Sequence, residues 1–171
     1  MATDIGIGGL DGFEIRLATR RDLAAASRFA TPVIRSLKFY NQECTKNNIK
    51  EVSAKALADD LAKDANSVIL AVQRGGGIVG IATHFMGLGH VDWLDWILVS
   101  QDCRSRGIAA AMLKYAMDNA KGRGCHKVWC DSNPQNVPAL RFFSRMGFRK
   151  VGVLRRHSFG QDQIIWERLI R

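Results

Sequence analysis

From Phe13 to Thr19 apolar and polar residues alternate, the period-two pattern of a strand with one buried face. Between Asp22 and Phe39 the period lengthens: Leu23, Ala26, Ala30, Ile34 and Leu37 predict a helix, interrupted at Pro32. Ser53 is placed to cap a short helix that carries Leu57 and Leu61 on one face. Two apolar β-rich runs, Val68–Val72 and Ile78–Phe85, flank Arg74-Gly75-Gly76-Gly77 and predict a hairpin. After a turn at Gly87–Gly89, Val91 to Val99 adds a third strand to this meander. Arg106 to Lys121 then reads as a strong helix, with Ile108, Met112, Tyr115 and Asn119 on one stripe and Gly122 and Gly124 as its stop. A short strand (Lys127–Asp131), a second helix (Asn136–Met146, opened by Asn-x-Pro and closed by Gly147) and two final strands (Phe148–Leu154, Gln163–Ile170) complete the chain. The order β-α-α-β-β-β-α-β-α-β-β has no repeat and no linker. It describes one mixed α/β domain over 13–171, behind a Gly-rich lead-in at 1–12.

Composition narrows this little: 171 residues with 47% hydrophobic and 24% charged are ordinary for one globular domain. Residues 1–12 lack a basic region followed by an apolar block, and no apolar run approaches a membrane span, so a cytoplasmic protein is the simplest expectation. Cys44, Cys103, Cys125 and Cys130 are scattered, without CxxC pairs or histidines at zinc spacing, so no metal site is expected and the thiols read as free. Charge changes the picture more. The net charge is +9, and residues 101–171 hold all of the excess, with 14 Lys/Arg against 5 Asp/Glu. A basic half of this kind points to a polyanionic ligand, either nucleic acid or a phosphorylated cofactor.

A phosphate-shaped motif lies in that half. The strand ending at Val99 leads through Ser100-Gln101-Asp102-Cys103-Arg104-Ser105-Arg106-Gly107-Ile108-Ala109 into the strong helix. A helix N-terminus offers unpaired N–H groups and the positive end of the helix dipole. Gly107 and Ala109 let a pyrophosphate approach the backbone, and Arg104 and Arg106 add charge and forked donors. It is neither a Walker loop nor a dinucleotide fingerprint.

Arg104-x-x-Gly107-x-Ala109 after a strand resembles the signature of the GNAT superfamily of acyl-CoA-dependent N-acyltransferases. Asn136-x-x-Ala139-x-x-Phe142-Phe143-x-Arg145-x-Gly147-Phe148 is similar to the family's downstream block, and Ile15-Arg16-x-Ala18-Thr19-x-x-Asp22 to a common family start. The resemblance implies a single-domain α/β (α+β) GNAT fold with a mixed sheet of about six to seven strands flanked by helices. It implies acetyl-CoA as cosubstrate and an N-acetyltransferase that moves the acetyl group to a primary amine by direct attack in a ternary complex. The backbone of Leu98 and Val99, at a splay or bulge, would pair with the pantetheine. The N–H groups of Arg104, Ser105, Arg106, Gly107, Ile108 and Ala109 would wrap the pyrophosphate. Asn136 would reach the pantetheine arm, and Phe143 would sit near the thioester sulfur.

Phe143 departs from the family pattern, which often has Tyr there to protonate the leaving thiolate. The general acid is therefore unassigned, and a non-catalytic acyl-CoA-binding or sensor protein is the alternative reading. A base is needed because an alkyl amine, with a pKa of about 10.4 for lysine, is protonated at neutral pH. In the branch that acetylates ribosomal-protein N-termini, a Glu five residues ahead of the Asn takes that proton. Asp131 stands there, with Asp95 and His157 as alternates.

The acceptor is an amine that the sequence leaves open: a protein N-terminus, a lysine or a small-molecule amine. A net positive chain is an awkward receptor for polyamines. Nucleic acid is disfavoured as a partner, since no reader motif accompanies the charge. No membrane partner is expected, and family habit extends the expectation of a homodimer. Trp93 and Trp96 are expected in the core or lining the acceptor cleft. His84 and His90 are expected at the surface.

Overall fold

The computed structural model describes residues 12–73 and 75–170. Seven strands, β1 (Phe13–Leu17), β2 (Val68–Gln73), β3 (Ile78–Met86), β4 (Val91–Val99), β5 (Lys127–Ser132), β6 (Arg149–Ser158) and β7 (Gln161–Leu169), form one sheet in the order β1-β2-β3-β4-β5-β7-β6. Only β4 and β5 run parallel, and the helix that crosses between them is α4 (Ile108–Gly122). On one face lie α1 (Leu23–Arg35), α2 (Gln42–Glu51) and α3 (Ala54–Lys63), and on the other lie α4 and α5 (Val137–Arg145).

Both faces are therefore covered, which is why β2 reads as an unbroken apolar run. Val68 and Leu70 pack under α1 with Ala26, Ile34, Leu57 and Ile81, whereas Ile69 and Ala71 face α4 with Ile108, Met112 and Ala116. Gly80 on β3 makes that approach possible, since a Cβ there would lie 2.9 Å from Met112 Cε. Beneath α5, Leu94, Val128, Cys130, Phe143, Phe148, Ile164 and Trp166 close a third cluster. Each such fully buried side chain contributes about 1.5–3 kcal/mol.

Six strands fall within two residues of expectation, while β6 runs four residues past its expected end at Leu154, to Ser158, and Ser53 caps α3 through its hydroxyl, which accepts from Ala56 N at 3.2 Å. Three differences are informative. The helix α2 is absent from the sequence reading, because its segment Gln-Glu-Cys-Thr-Lys-Asn-Asn-Ile-Lys-Glu buries only Cys44 and Asn48. It starts at Asn41, whose side chain accepts from Cys44 N at 2.9 Å. The helix α1 runs through Pro32 and ends at Arg35. His84, expected at the surface, is fully buried: it bonds Asp92 at 3.0 Å, and Asp92 in turn accepts from Arg123 at 3.3 Å. Arg123 also pairs with Asp64, which ties the end of α4 to the end of α3. His90 is exposed. The hairpin turn is seen at Gly75–Gly77, where Gly76 N donates to Gln73 O; Arg74 and residues 1–11 of the lead-in lie outside the described residues. Among the described residues no helix is long and apolar enough to cross a membrane, and no group of three His, Cys, Asp or Glu could hold a metal ion.

Candidate active site

The parallel pairing of β4 and β5 lasts for three residue pairs, from Val91–Lys127 to Trp93–Trp129. The two tryptophans stack at the last rung, with centroids 5.4 Å apart and planes 10° from parallel. Beyond them β5 stays with β7 as far as Ser132, and β4 stays with β3 as far as Val99, so a gap opens in the middle of the sheet.

On the β3 side β4 carries a bulge. Thr83 opposes Trp96 and His84 opposes Leu94, which leaves Asp95 as the extra residue. As a result Trp93, Asp95 and Trp96 all line one cavity on the α1–α2 face, while Leu94 and Ile97 pack toward α4 and α5. The splay expected near Leu98 and Val99 thus begins four residues earlier, and the bulge sits at Asp95. Ser100 N donates to Val79 O at 2.9 Å, so the alternation of an antiparallel ladder turns the main-chain groups of Leu98 toward β3 and those of Val99 toward the gap. The Leu98 side chain is buried under α1.

Two cavities flank the far half of β4. One, of 390 Å³ on the α4 face, is lined by Val99, Arg104, Ser105, Gly107, Ile108 and Ala109, with Phe142 and Arg145 opposite on α5. Ser105 and Gly107 have φ of 61° and 80°, so the loop turns twice through left-handed backbone before α4 begins. Gly107 is the N-cap residue and offers no side chain to the first turn, leaving its N–H groups for an anion. Six of the ten expected cofactor residues come together here. Of the others, the Arg106 guanidinium lies over the Phe13 ring at 4.8 Å. Asn136 caps α5 by accepting from Ala139 N at 3.3 Å, the structural role its position before Pro138 already allowed. Phe143 is buried, 5.4 Å from both Phe142 and Phe148 and 6.0 Å from Trp166, and the aromatic that lines the cavity is its neighbour Phe142.

The second cavity, of 460 Å³ on the opposite face, is lined by Glu51, Asp95 and Asp131, by Tyr40, Trp93, Trp96 and Phe159, and by His157 and Gln163. Asp131, Asp95 and His157, the sequence candidates for a base, thus share one pocket, contributed by β5, β4 and β6. Tyr40 and Glu51, which the sequence reading passed over, belong to the same wall. Burial raises the Asp131 carboxyl, and nearby His157 partly offsets this. Asp95 is pushed up to about 7, first by burial and then by the charge of Glu51, although it accepts from Thr83 Oγ1 at 3.1 Å. Glu51 sits at the rim, exposed as a residue, yet desolvation on the pocket side raises its carboxyl as well. Cys130 points to the other face of β5 and is 1% exposed; burial drives its thiol far upward, so it stays protonated.

Comparison with known proteins identifies the family and agrees with the fold. The model of the acetyltransferase (GNAT) family matches residues 34–148. The acetyltransferase Atu2258 of Agrobacterium fabrum is 34% identical over 108 residues, 62% of this chain and 67% of that protein. A streptothricin acetyltransferase of Streptomyces lavendulae is 29% identical over 97 residues, 53% of this chain, and the match spans about half of that enzyme's length, 49%. Among solved structures, Ard1 from Thermoplasma volcanium has the same fold, with a TM-score of 0.76 at 17% identity over 94% of this chain and 99% of that one. The chain belongs to the GNAT acetyltransferase family, and it is an acyltransferase whose donor is acetyl-CoA.

Proposed function

We propose that the enzyme transfers the acetyl group of acetyl-CoA to a primary amine by direct attack, with cofactor and acceptor bound on opposite faces of the sheet. The observation that carries this reading is the pair of cavities flanking the β4–β5 gap, one built on a helix N-terminus with Arg104 and Arg145, the other walled by carboxylates.

In this reading the pyrophosphate lies on the N–H groups from Arg104 to Ala109, and the pantetheine passes Val99 into the gap. The amine enters from the acidic pocket. Its neutral nitrogen attacks the thioester carbon, the C–S bond breaks, the nitrogen gives up its second proton to water, and CoA leaves as a thiolate that takes a proton back from water. The acidic pocket supplies what the attack needs first, a group that accepts the amine proton. Asp131 on the β5 lip of the gap is the proposed base. Asp95 on the β4 lip is the second reading, favoured by a carboxyl that titrates near neutrality, where a base works best. A covalent acetyl-cysteine intermediate finds no support, since Cys130 is buried on the far face and protonated.

Calorimetric titration with acetyl-CoA, together with thiol release across a panel of amines, tests both halves. The pH–rate profile separates the two carboxylates. If Asp131 is the base, Asp131→Asn abolishes the acidic limb and lowers kcat about 10²–10⁴-fold. If that limb survives in Asp131→Asn and is lost in Asp95→Asn, the assignment passes to Asp95.

A further inference from the structure

We propose that the acceptor is a small dicationic amine, a molecule carrying a second ammonium group a few carbons from the nitrogen that is acetylated. This rests on the reading of the 460 Å³ cavity as the acceptor site. Three observations independent of the base assignment carry it.

The first is surplus charge. Glu51, Asp95 and Asp131 line the cavity, and no Lys or Arg does; His157 is its one basic side chain. Asp60 on α3 adds a further negative field at both Glu51 and Asp95. A single amine needs one counter-charge at the gap, and it would leave Glu51 without a partner.

The second is that these three pocket carboxylates have no cationic side chain as partner, whereas other desolvated carboxylates of the protein do. Asp22, Asp64, Asp92 and Glu167 are each bound to Arg or Lys. Among the described residues, Glu51, Asp95 and Asp131 form no ion pair with Lys or Arg, although the protein carries a net charge of +9. Desolvated carboxylates without cations are costly unless a ligand supplies the cations. Two of the three are also held in place: Asn47 Nδ2 donates to Glu51 Oε1 at 2.6 Å, and Thr83 Oγ1 donates to Asp95 Oδ2 at 3.1 Å.

The third is the wall. Tyr40, Trp93, Trp96 and Phe159 line it, aromatic rings attract ammonium groups, and the volume suits a small molecule rather than a polymer. Glu51 ends α2, so the partial negative charge of the last helical turn adds to its own. The reacting nitrogen then belongs at the Asp95–Asp131 end, beside the gap, and the second ammonium belongs at Glu51.

Net charge had argued against such a ligand, but the charge is segregated. Basic side chains of residues 101–171 lie in the proposed cofactor groove (Arg104, Arg145) and on the exposed strand β6 (Arg149, Lys150, Arg155, Arg156), and none of these lines the cavity. Screening over about 8 Å at physiological ionic strength lets the pocket's own carboxylates decide what enters.

The test compares 1,4-diaminobutane with 1-aminobutane at saturating acetyl-CoA, reading kcat/KM by thiol release. The diamine is expected to be preferred at least tenfold, with a preference that shrinks as salt is added and that falls toward unity in Glu51→Gln. Equal kcat/KM for the two amines, or a preference that Glu51→Gln leaves intact, overturns the proposal. Calorimetric binding of N,N,N′,N′-tetramethyl-1,4-diaminobutane to the acetyl-CoA complex reads the pocket without turnover. Binding that weakens at least tenfold in Glu51→Gln supports the proposal, and no binding to the wild type counts against it. An alanyl peptide serves as a third acceptor. If the peptide is acetylated and the diamine is not, the dication fails while amine acetylation stands. If acetyl-CoA binds and no amine releases CoA, both fail together.

Discussion

Thr83 donates its hydroxyl hydrogen to Asp95 across the bulge that joins β3 to β4, at 3.1 Å. This bond favours the ionised carboxylate against the burial that opposes it. Thr83→Val keeps the shape and removes the donor, so Asp95 should titrate above its present value of about 7. The acidic limb of kcat/KM for an amine should then move to higher pH. The direction is the same whether Asp95 takes the amine's proton or only binds its ammonium group, because both require the ionised form. A profile identical to wild type would show that Asp95 acts in neither way.

The same carboxylate makes stability depend on pH. Unfolded, Asp95 releases its proton near 3.8, whereas folded it holds it up to about 7. Between those values only the folded chain binds the proton, so stability falls as pH rises through the window and the loss is complete above it. Asp95→Asn removes this cost. The variant should exceed wild type at pH 8 by about 2 kcal/mol, roughly 4–8 °C in Tm. The two should converge near pH 4, which a series of thermal melts would show.

Gly107, with φ of 80° at the mouth of α4, gives a sharper outcome for the cofactor. Gly107→Ala pays about 1–2 kcal/mol for left-handed backbone but adds only a methyl group. Gly107→Glu adds a carboxylate where the phosphates are proposed to lie. Calorimetry with acetyl-CoA should find weakened binding in the first variant and none in the second.

Asp92 is fully buried between His84 and Arg123. Asp92→Ala leaves the buried His84 imidazole without its carboxylate partner and Arg123 with Asp64 alone, at a cost of about 1–3 kcal/mol. Since Arg123 also holds Asp64, denaturant unfolding should show the loss together with a loosened α3, visible as faster amide exchange there.

How much of this was legible in the sequence follows from how far apart the relevant residues lie. The strand to Val99, the arginine-glycine loop and α4 are contiguous, so their pattern could be read directly, and six of the ten residues expected to hold the cofactor line one groove. Asp131 was found by its spacing from Asn136, and it does face the pocket. The pocket itself was not legible, because Tyr40, Glu51, Asp95, Asp131 and His157 come from separate segments that only the sheet order brings together. Helix α2 was hidden because a helix packed by Cys44 and Asn48 shows no apolar stripe. His84 misled for a related reason: a polar residue in a strand reads as exposed until its partner, eight positions on, is known to be buried with it.

The bulge at Asp95 carries a consequence for how such a chain can change. A strand's side chains keep step with odd and even positions, and one supernumerary residue resets the count for all that follow. Deleting Asp95 would bring Trp96 next to Leu94 in an uninterrupted ladder and leave every later side chain on its present side: Trp96 and Leu98 toward α1, Ile97 and Val99 toward α4. One codon could thus remove an acid from the wall of the 460 Å³ cavity while the lining of both chambers beyond it keeps its order. A deletion beyond Trp96 would instead turn every later side chain of β4 to the opposite face, so the bulge is where this strand can lose a residue without exchanging its two linings.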